Sequence, residues 1–442
     1  MTRELVTAIL VDVTKNGEYS HVVLRNTLNK YQYLDKKDRA FITRVVEGTL
    51  ERMIEIDYII EQFSTVKVKK MKPVIRSILR SAVYEIKYME NVPHSASCNE
   101  AVKLAQKLGF HNLKGFVNGV LRNIARNLET ITYPDDMSIR YSMPQWIIDK
   151  WLGEYDKETV EKMLQSFLKE RVLTIRCNLN QLSVEELVEQ LQKEGVQVES
   201  HPYLPYALQI SGYDYLAELE SFQKGAFYVQ DVSSMMVAHV ADPKEGNYVL
   251  DVCSAPGGKA LHAAEKLQGT GHVEARDLTD YKVGMLWENI ERSGLKNIEA
   301  VRWDATILNE KSVGKADVVL ADVPCSGLGV LGKKADLKYR LTAESQQELV
   351  VLQREILETV KQYVKPGGTL VYSTCTICKE ENMGNVEWFL QENPEFQLAP
   401  IQGYLCDELK QSVKTEGCLQ FLPGIHKSDG FFIAKFKRTN NG

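Results

Sequence analysis

Residues 251–260 read DVCSAPGGKA, and this stretch decides the fold. The apolar run NYVLDVC (247–253) stops at Pro256, Gly257, Gly258 and Lys259, and KALHAAEKL follows with Ala260, Leu261, Ala264 and Leu267 on one helical face. A strand therefore feeds a helix through a glycine turn, where bare backbone lets a ligand approach and the N–H groups opening the helix meet its polar atoms. A phosphate-binding P-loop needs Gly five places before the Gly-Lys pair and Ser or Thr after it, but Cys253 and Ala260 stand there.

The dinucleotide fingerprint G-x-G-x-x-G is absent too, yet the next strand, GHVEARD, closes on the acidic Asp277, roughly 20 residues on, where such folds bind a ribose. A nucleoside cofactor without a pyrophosphate fits both facts, and S-adenosylmethionine is the commonest of that description. Downstream, helix and strand patterns alternate: YKVGMLWENIERSG, IEAVRWD, ADVVLADVPC, QQELVVLQREILETVKQYV, GTLVYSTC and EENMGNVEWFLQ. That order predicts a doubly wound α/β, Rossmann-like domain over 244–442, with a parallel sheet and helices on both faces. Asp251, Cys253, Asp277, Asp304, Asp322, Cys325 and Cys375 all fall at carboxyl ends of strands, the edge where open α/β sheets bind ligands. In the usual strand order the fourth strand lies beside the first and the fifth beside the fourth, so Cys325 and Cys375 face each other across the cofactor. Two thiols so placed suggest nucleophilic chemistry. Cys375 and Cys378 have C-x-x-C spacing, but no second pair or His cluster completes a tetrahedral zinc site, and a glycine-turn cofactor site is the wrong setting for a redox C-x-x-C.

The chain has 442 residues, 44% of them hydrophobic, enough for two or three domains with cores of their own. No apolar run approaches membrane-spanning length, MTRELVTAIL lacks the pattern of a signal peptide, and the eight cysteines are scattered; the expectation is a cytoplasmic, monomeric protein with reduced thiols, no membrane partner and no metal. Net charge is −5 but uneven, about +7 over residues 1–130 and about −12 over the rest, so an RNA partner is expected to meet the front of the chain.

Residues 1–133 read as an all-α domain with turns near Asn16-Gly17, Pro73, Pro93 and Gly109; Phe41, Val45, Leu50, Met53 and Ile54 recur near helical spacing as core. Its N-E-A-V (99–102) and G-F-V-N-G-V-L (115–121) segments resemble the NusB family of RNA-binding helical domains. That resemblance implies phosphate contacts from Lys103, Lys107, Lys114, Arg122 and Arg126, against the plainer reading of a solvated helix face. Residues 134–243 read as a small α+β RNA-binding or linker module: two short helices in 144–168, strands LTIRCNL, YALQIS and AFYVQD, and the helix VEELVEQLQKEG. Arg176, in the first of these strands, is either an RNA contact or an ordinary solvated strand residue, and Cys177 a small apolar neighbour.

Nearly the whole chain resembles the bacterial 16S ribosomal RNA (cytosine-5)-methyltransferases of the RsmB/Sun family, which join a NusB-like domain to an S-adenosylmethionine-dependent domain. The likeness is carried by CSAPGGK (253–259), DVPCSGLG (322–329), STC with EEN (373–375, 380–382) and PGIHKSDGFFIAKF (423–436). It implies that Cys253, Ser254, Ala255, Pro256, Gly257, Gly258 and Lys259 cradle the methionine end of the cofactor. Asp277 then binds the ribose, Asp304 lies near adenine and Asp322 lines the site. It further implies that Cys375 is the nucleophile and Cys325 its helper, acting on small-subunit ribosomal RNA. The chain departs from the family in having Ala260 where Thr is usual and GKKAD (332–336) in place of R-R-x-P-D. A cytosine ring becomes nucleophilic at carbon 5 once a thiolate adds at carbon 6, the reaction expected of Cys375. Asp322 either supports the ring by a hydrogen bond or caps the next turn.

Overall fold

The computed structural model describes residues 1–169 and 172–440. The chain forms two compact units, residues 1–168 with 331–341, and residues 169–330 with 342–442.

The first unit is helical. Pro73–Tyr88 is its central helix: Pro73 opens it where a missing N–H costs nothing, and Ile75, Ile78, Leu79, Ala82, Val83 and Ile86 are buried along it. Thr2–Thr14, Lys36–Glu51, Met53–Phe63, His94–Lys107 and Lys114–Asn127 pack around it through one shared core. Val45 and Leu50 are fully buried as their spacing predicts, whereas Phe41 and Ile54 are only partly covered. The buried Glu85 carboxylate takes hydrogen bonds from Arg3 at 2.7 Å and Ser97 at 2.8 Å, pinning Thr2–Thr14 and His94–Lys107 to the central helix. Gln145–Glu154 and Lys157–Ser166 fall in this unit. The segment 331–341, which carries GKKAD, lies here as well. Asp336 accepts from Ser20 N at 3.1 Å and Ser20 Oγ at 2.6 Å, Lys338 is buried with Nζ donating to the Glu51 carbonyl at 2.8 Å, and the Arg340 guanidinium lies 3.7 Å from the Tyr19 ring centroid.

In the second unit β1 (Leu173–Cys177), β2 (Gln197–Ser200), β3 (Ala207–Ser211) and β4 (Phe227–Val229) form an antiparallel sheet ordered β2-β3-β1-β4. The helix Val184–Lys193 begins at a Ser183–Glu186 capping box and covers this sheet with Leu187 and Leu191. Strand β2 has no counterpart in the sequence reading, because it is an edge strand with only Val198 partly buried and no alternation to betray it. Helix Val232–Ala241 is apolar on almost every side and is buried in a core shared by this sheet and the larger one.

The larger sheet contains β5 (Tyr248–Asp251), β6 (His272–Asp277), β7 (Ile298–Arg302), β8 (Ala316–Asp322), β9 (Val364–Thr374), β10 (Phe396–Leu398), β11 (Cys418–Phe421) and β12 (Phe431–Arg438). Its order is β10-β12-β9-β8-β5-β6-β7, with β11 also on β12. Strands β5 to β9 are parallel and in the expected order, while β10, β11 and β12 pair antiparallel and make the sheet mixed. The strand order reverses between β5 and β8, so a crevice opens at the carboxyl ends of these two strands, beside Asp251 and Asp322. Among the described residues, no helix is long and apolar enough to cross a membrane.

Candidate active site

The turn after β5 is shaped by backbone before side chains. Gly257 sits at φ 109°, a conformation open to glycine, and caps the helix Gly258–Lys266. Asp277, at the end of β6, accepts the Ala255 N–H at 2.9 Å, the Leu278 N–H at 2.8 Å and the Lys282 ammonium at 2.9 Å. The carboxylate expected to meet a ribose thus also holds the cofactor loop. Asp304 follows β7 and closes its own turn, taking Thr306 N at 2.9 Å and Thr306 Oγ1 at 2.7 Å.

Asp251 is fully buried, and both of its oxygens, like Ser254 Oγ, lack a hydrogen-bond partner among the described residues. Burial, reinforced by the charge of Asp322, pushes the Asp251 carboxyl up to about 7. A buried carboxylate and a buried hydroxyl without partners suit the ammonium of a methionine moiety. Burial, with the charges of Asp251, Asp277 and Asp322, pushes the Cys253 thiol up, which disfavours a thiolate at that position.

Lys259 does more than continue the loop: its Nζ reaches Asp322 Oδ2 at 2.7 Å, and Ser373 Oγ donates to Asp322 Oδ1 at 2.8 Å. Burial works against the Lys259 ammonium, but Asp322, helped by Asp251, outweighs it and raises its pKa. Beyond Asp322, Cys325 Sγ and Cys375 Sγ stand 3.1 Å apart, close contact without a disulfide, and Cys375 N–H donates to Cys325 Sγ at 3.2 Å. The hydrogen bond to Cys375, with burial, raises the Cys325 thiol well above its ordinary value. Gly329 N–H donates to the Cys375 carbonyl at 3.1 Å and its own carbonyl accepts Gly430 N–H at 2.9 Å; a Cβ at Gly329 would lie 2.0 Å from the Gly430 oxygen, so glycine is obligatory there.

The edge therefore gathers all the sequence-predicted residues of 251–375, and it adds some that went unrecognised. Glu381 and Asn382, read as helix-opening residues, are buried between the two cysteine loops with Thr374, Thr376 and Gln353, and helix Met383–Glu392 starts after them. The signal available was a cluster of Glu, Asn and Thr beside two cysteines, but a polar run before a helix is ordinarily a cap. Arg176 is a correction: it is completely buried, ion-paired to Glu265, donating to Gln230 Oε1 at 2.8 Å and stacked 4.4 Å over Tyr228, so it neither faces solvent nor meets RNA. Cys177 is buried in the apolar core as expected. The NusB-like side chains Lys103, Lys107, Lys114, Arg122 and Arg126 are exposed, with Lys103 on Glu100 and Lys107 on Glu4. Among the described residues no cluster of His, Cys, Asp and Glu could hold a metal ion.

Fold and site together define an S-adenosylmethionine-dependent methyltransferase with a Rossmann-like domain, a ferredoxin-like middle domain and a NusB-like helical front. Residues 238–437 match the family model for the 16S rRNA methyltransferase RsmB/F, 1–126 the NusB family, and 143–215 the ferredoxin-like domain of RsmF/B-like methyltransferases. The chain is 35% identical to a probable ribosomal RNA small subunit methyltransferase B of Bacillus subtilis over 99% of its own length and 98% of the relative's. It belongs to the RsmB/F family of 16S rRNA methyltransferases. The ribosomal RNA small subunit methyltransferase B of Cronobacter sakazakii is 28% identical, with 98% and 97% covered. Among solved structures, NSun6 from Pyrococcus horikoshii, determined with SFG, superposes at TM-score 0.58 and 26% identity over 67% of this chain and 98% of that one.

Proposed function

We propose that the protein methylates carbon 5 of a cytosine in small-subunit ribosomal RNA through a covalent bond between Cys375 and cytosine carbon 6. The observation that carries this reading is the pair of thiols 3.1 Å apart on adjacent strand ends, next to the cofactor loop. S-adenosylmethionine, held by residues 253–259 with Asp277 and Asp304, supplies an electrophilic methyl group. Cys375, as thiolate, adds to carbon 6 and makes carbon 5 nucleophilic. Asp322, fixed by Lys259 and Ser373, accepts a hydrogen bond from the exocyclic amine of the base. After methylation the carbon 5 proton must leave before the bond from Cys375 to carbon 6 can break, and we assign its removal to Cys325, which can lose its own proton to solvent once bonding of Cys375 to the ring has removed the hydrogen bond that holds that proton in place. The target nucleotide has to be unstacked to reach this edge, which favours a loop or single-stranded site. Lys103, Lys107, Lys114, Arg122 and Arg126 hold RNA phosphates from the front unit, and the setting is the cytoplasm.

The reverse assignment, with Cys325 attacking, has one contact in its favour, the Cys375 N–H that points at Cys325 Sγ. Against it stands the raised Cys325 thiol. Labelled RNA on a denaturing gel separates the two. Cys375→Ala should abolish methylation and leave no adduct, while Cys325→Ala should methylate but retain RNA as a retarded, protease-sensitive band. A band from Cys375→Ala and none from Cys325→Ala reverses the roles; methylation by both variants without a band rules out the covalent route.

A further inference from the structure

Glu381 lies completely buried between the loop after β8 and the turn after β9. Its Oε2 accepts the Ser326 main-chain N–H at 2.9 Å and Gln353 Nε2 at 2.9 Å, and its Oε1 accepts Gln346 Nε2 at 3.3 Å. Gln353 also donates to the Pro324 carbonyl at 2.9 Å, so both residues flanking Cys325 are held by their backbones. The next residue addresses the other thiol. Asn382 Oδ1 accepts Thr374 Oγ1 at 2.6 Å and its Nδ2 donates to the Thr376 carbonyl at 3.0 Å, gripping both neighbours of Cys375. A Ser326–Thr376 hydroxyl contact of 2.7 Å joins the two loops between them.

We infer that Glu381 is the positioning residue for Cys325, and Asn382 the corresponding one for Cys375, so that two consecutive side chains set the separation of the thiols. A buried carboxylate is costly to keep, and an apolar residue would fill the space at less expense. Glu381 instead spends its acceptors on three neutral donors, one of them the N–H next to Cys325. Loosening it frees the Cys325 loop while leaving the Cys375 turn in Asn382's grip. The cysteine roles proposed above are needed for only one of the two tests below.

The first test needs no RNA. Diamide oxidises two nearby thiols to a disulfide while its own nitrogen–nitrogen double bond is reduced to a hydrazine, and coupling of Cys325 to Cys375 is read by mass after alkylation. Glu381→Ala should slow coupling about tenfold or more, since proximity sets the rate, and Glu381→Gln, which keeps an acceptor for Ser326 N–H, should recover most of it. Glu381→Asp, one methylene short of Ser326, replaces Glu381→Ala with the same expectation if the alanine variant does not fold. Wild-type coupling rates in Glu381→Ala or Glu381→Asp overturn the inference. In the second test Glu381→Ala should accumulate RNA adduct as Cys325→Ala does, and Asn382→Ala should lose adduct formation itself. Equal loss of adduct formation and turnover in Glu381→Ala marks a merely structural role and overturns the inference. If Cys325→Ala traps no RNA while Glu381→Ala still slows diamide coupling, the cysteine roles fail and the positioning role stands.

Discussion

Asp277 accepts the Ala255 N–H at 2.9 Å, so a carboxylate at the end of β6 fixes the turn that leaves β5. Its replacement by Ala removes a charged acceptor for a ribose and an anchor of the loop together. S-adenosylmethionine affinity should fall by about 1.5–3 kcal/mol or more, measured by calorimetry on folded protein. Unchanged affinity would remove Asp277 from the cofactor site.

Asp251 makes stability depend on pH in an unusual direction. Its folded-state pKa, near 7, lies above the ordinary aspartate value, so between about pH 4 and 7 the unfolded chain releases a proton that the folded one keeps. Below that window the carboxyl is neutral in both states and costs nothing; as pH rises through it, stability falls, and above it the penalty is complete. Asp251→Asn should therefore gain denaturation free energy relative to wild type as pH goes from 4 to 8. A difference that is flat with pH contradicts the shift.

Salt dependence tests the front unit. Removing residues 1–130 is a poor way to do so, because Asp336 and the buried Lys338 would lose Ser20 and Glu51. Reversing Lys114, Arg122 and Arg126 to Glu leaves the core untouched, since all three are exposed. The slope of log affinity against log salt for ribosomal RNA should flatten by about 2 or more, three lost phosphate contacts at 0.7–0.9 each. An unaltered slope places the RNA elsewhere.

Arg176→Ala should cost about 3–5 kcal/mol in chemical denaturation, because it strands the buried Glu265 without its cation. A double variant, Arg176→Met with Glu265→Leu, should recover most of that loss. A single variant as stable as wild type would show that the pair carries no net burden.

The sequence alone determined what local pattern and chemical type determine. Pro256-Gly257-Gly258 between an apolar run and a periodic one requires a strand, a turn and a helix, and the alternation after it requires a parallel sheet whose carboxyl edge gathers Asp277, Asp322, Cys325 and Cys375. The helical front was equally legible, because the helices packed around Pro73–Tyr88 carry buried stripes of their own. Edge strand β2, with one partly buried residue, left no such mark. Tertiary structure alone decided what depends on partners far along the chain. Arg176 looks like any half-exposed strand residue until Glu265, 89 positions away, takes its charge into the core. GKKAD looks like an ordinary loop after a strand until Ser20, 316 positions from Asp336, ties it into the helical unit. Glu381 looks like a helix start until Ser326, 55 positions away, turns its carboxylate toward the thiols. Periodicity reports which face of an element is buried; it carries no information on which distant polar group will satisfy a buried charge, and in this protein that pairing sets the geometry of the site.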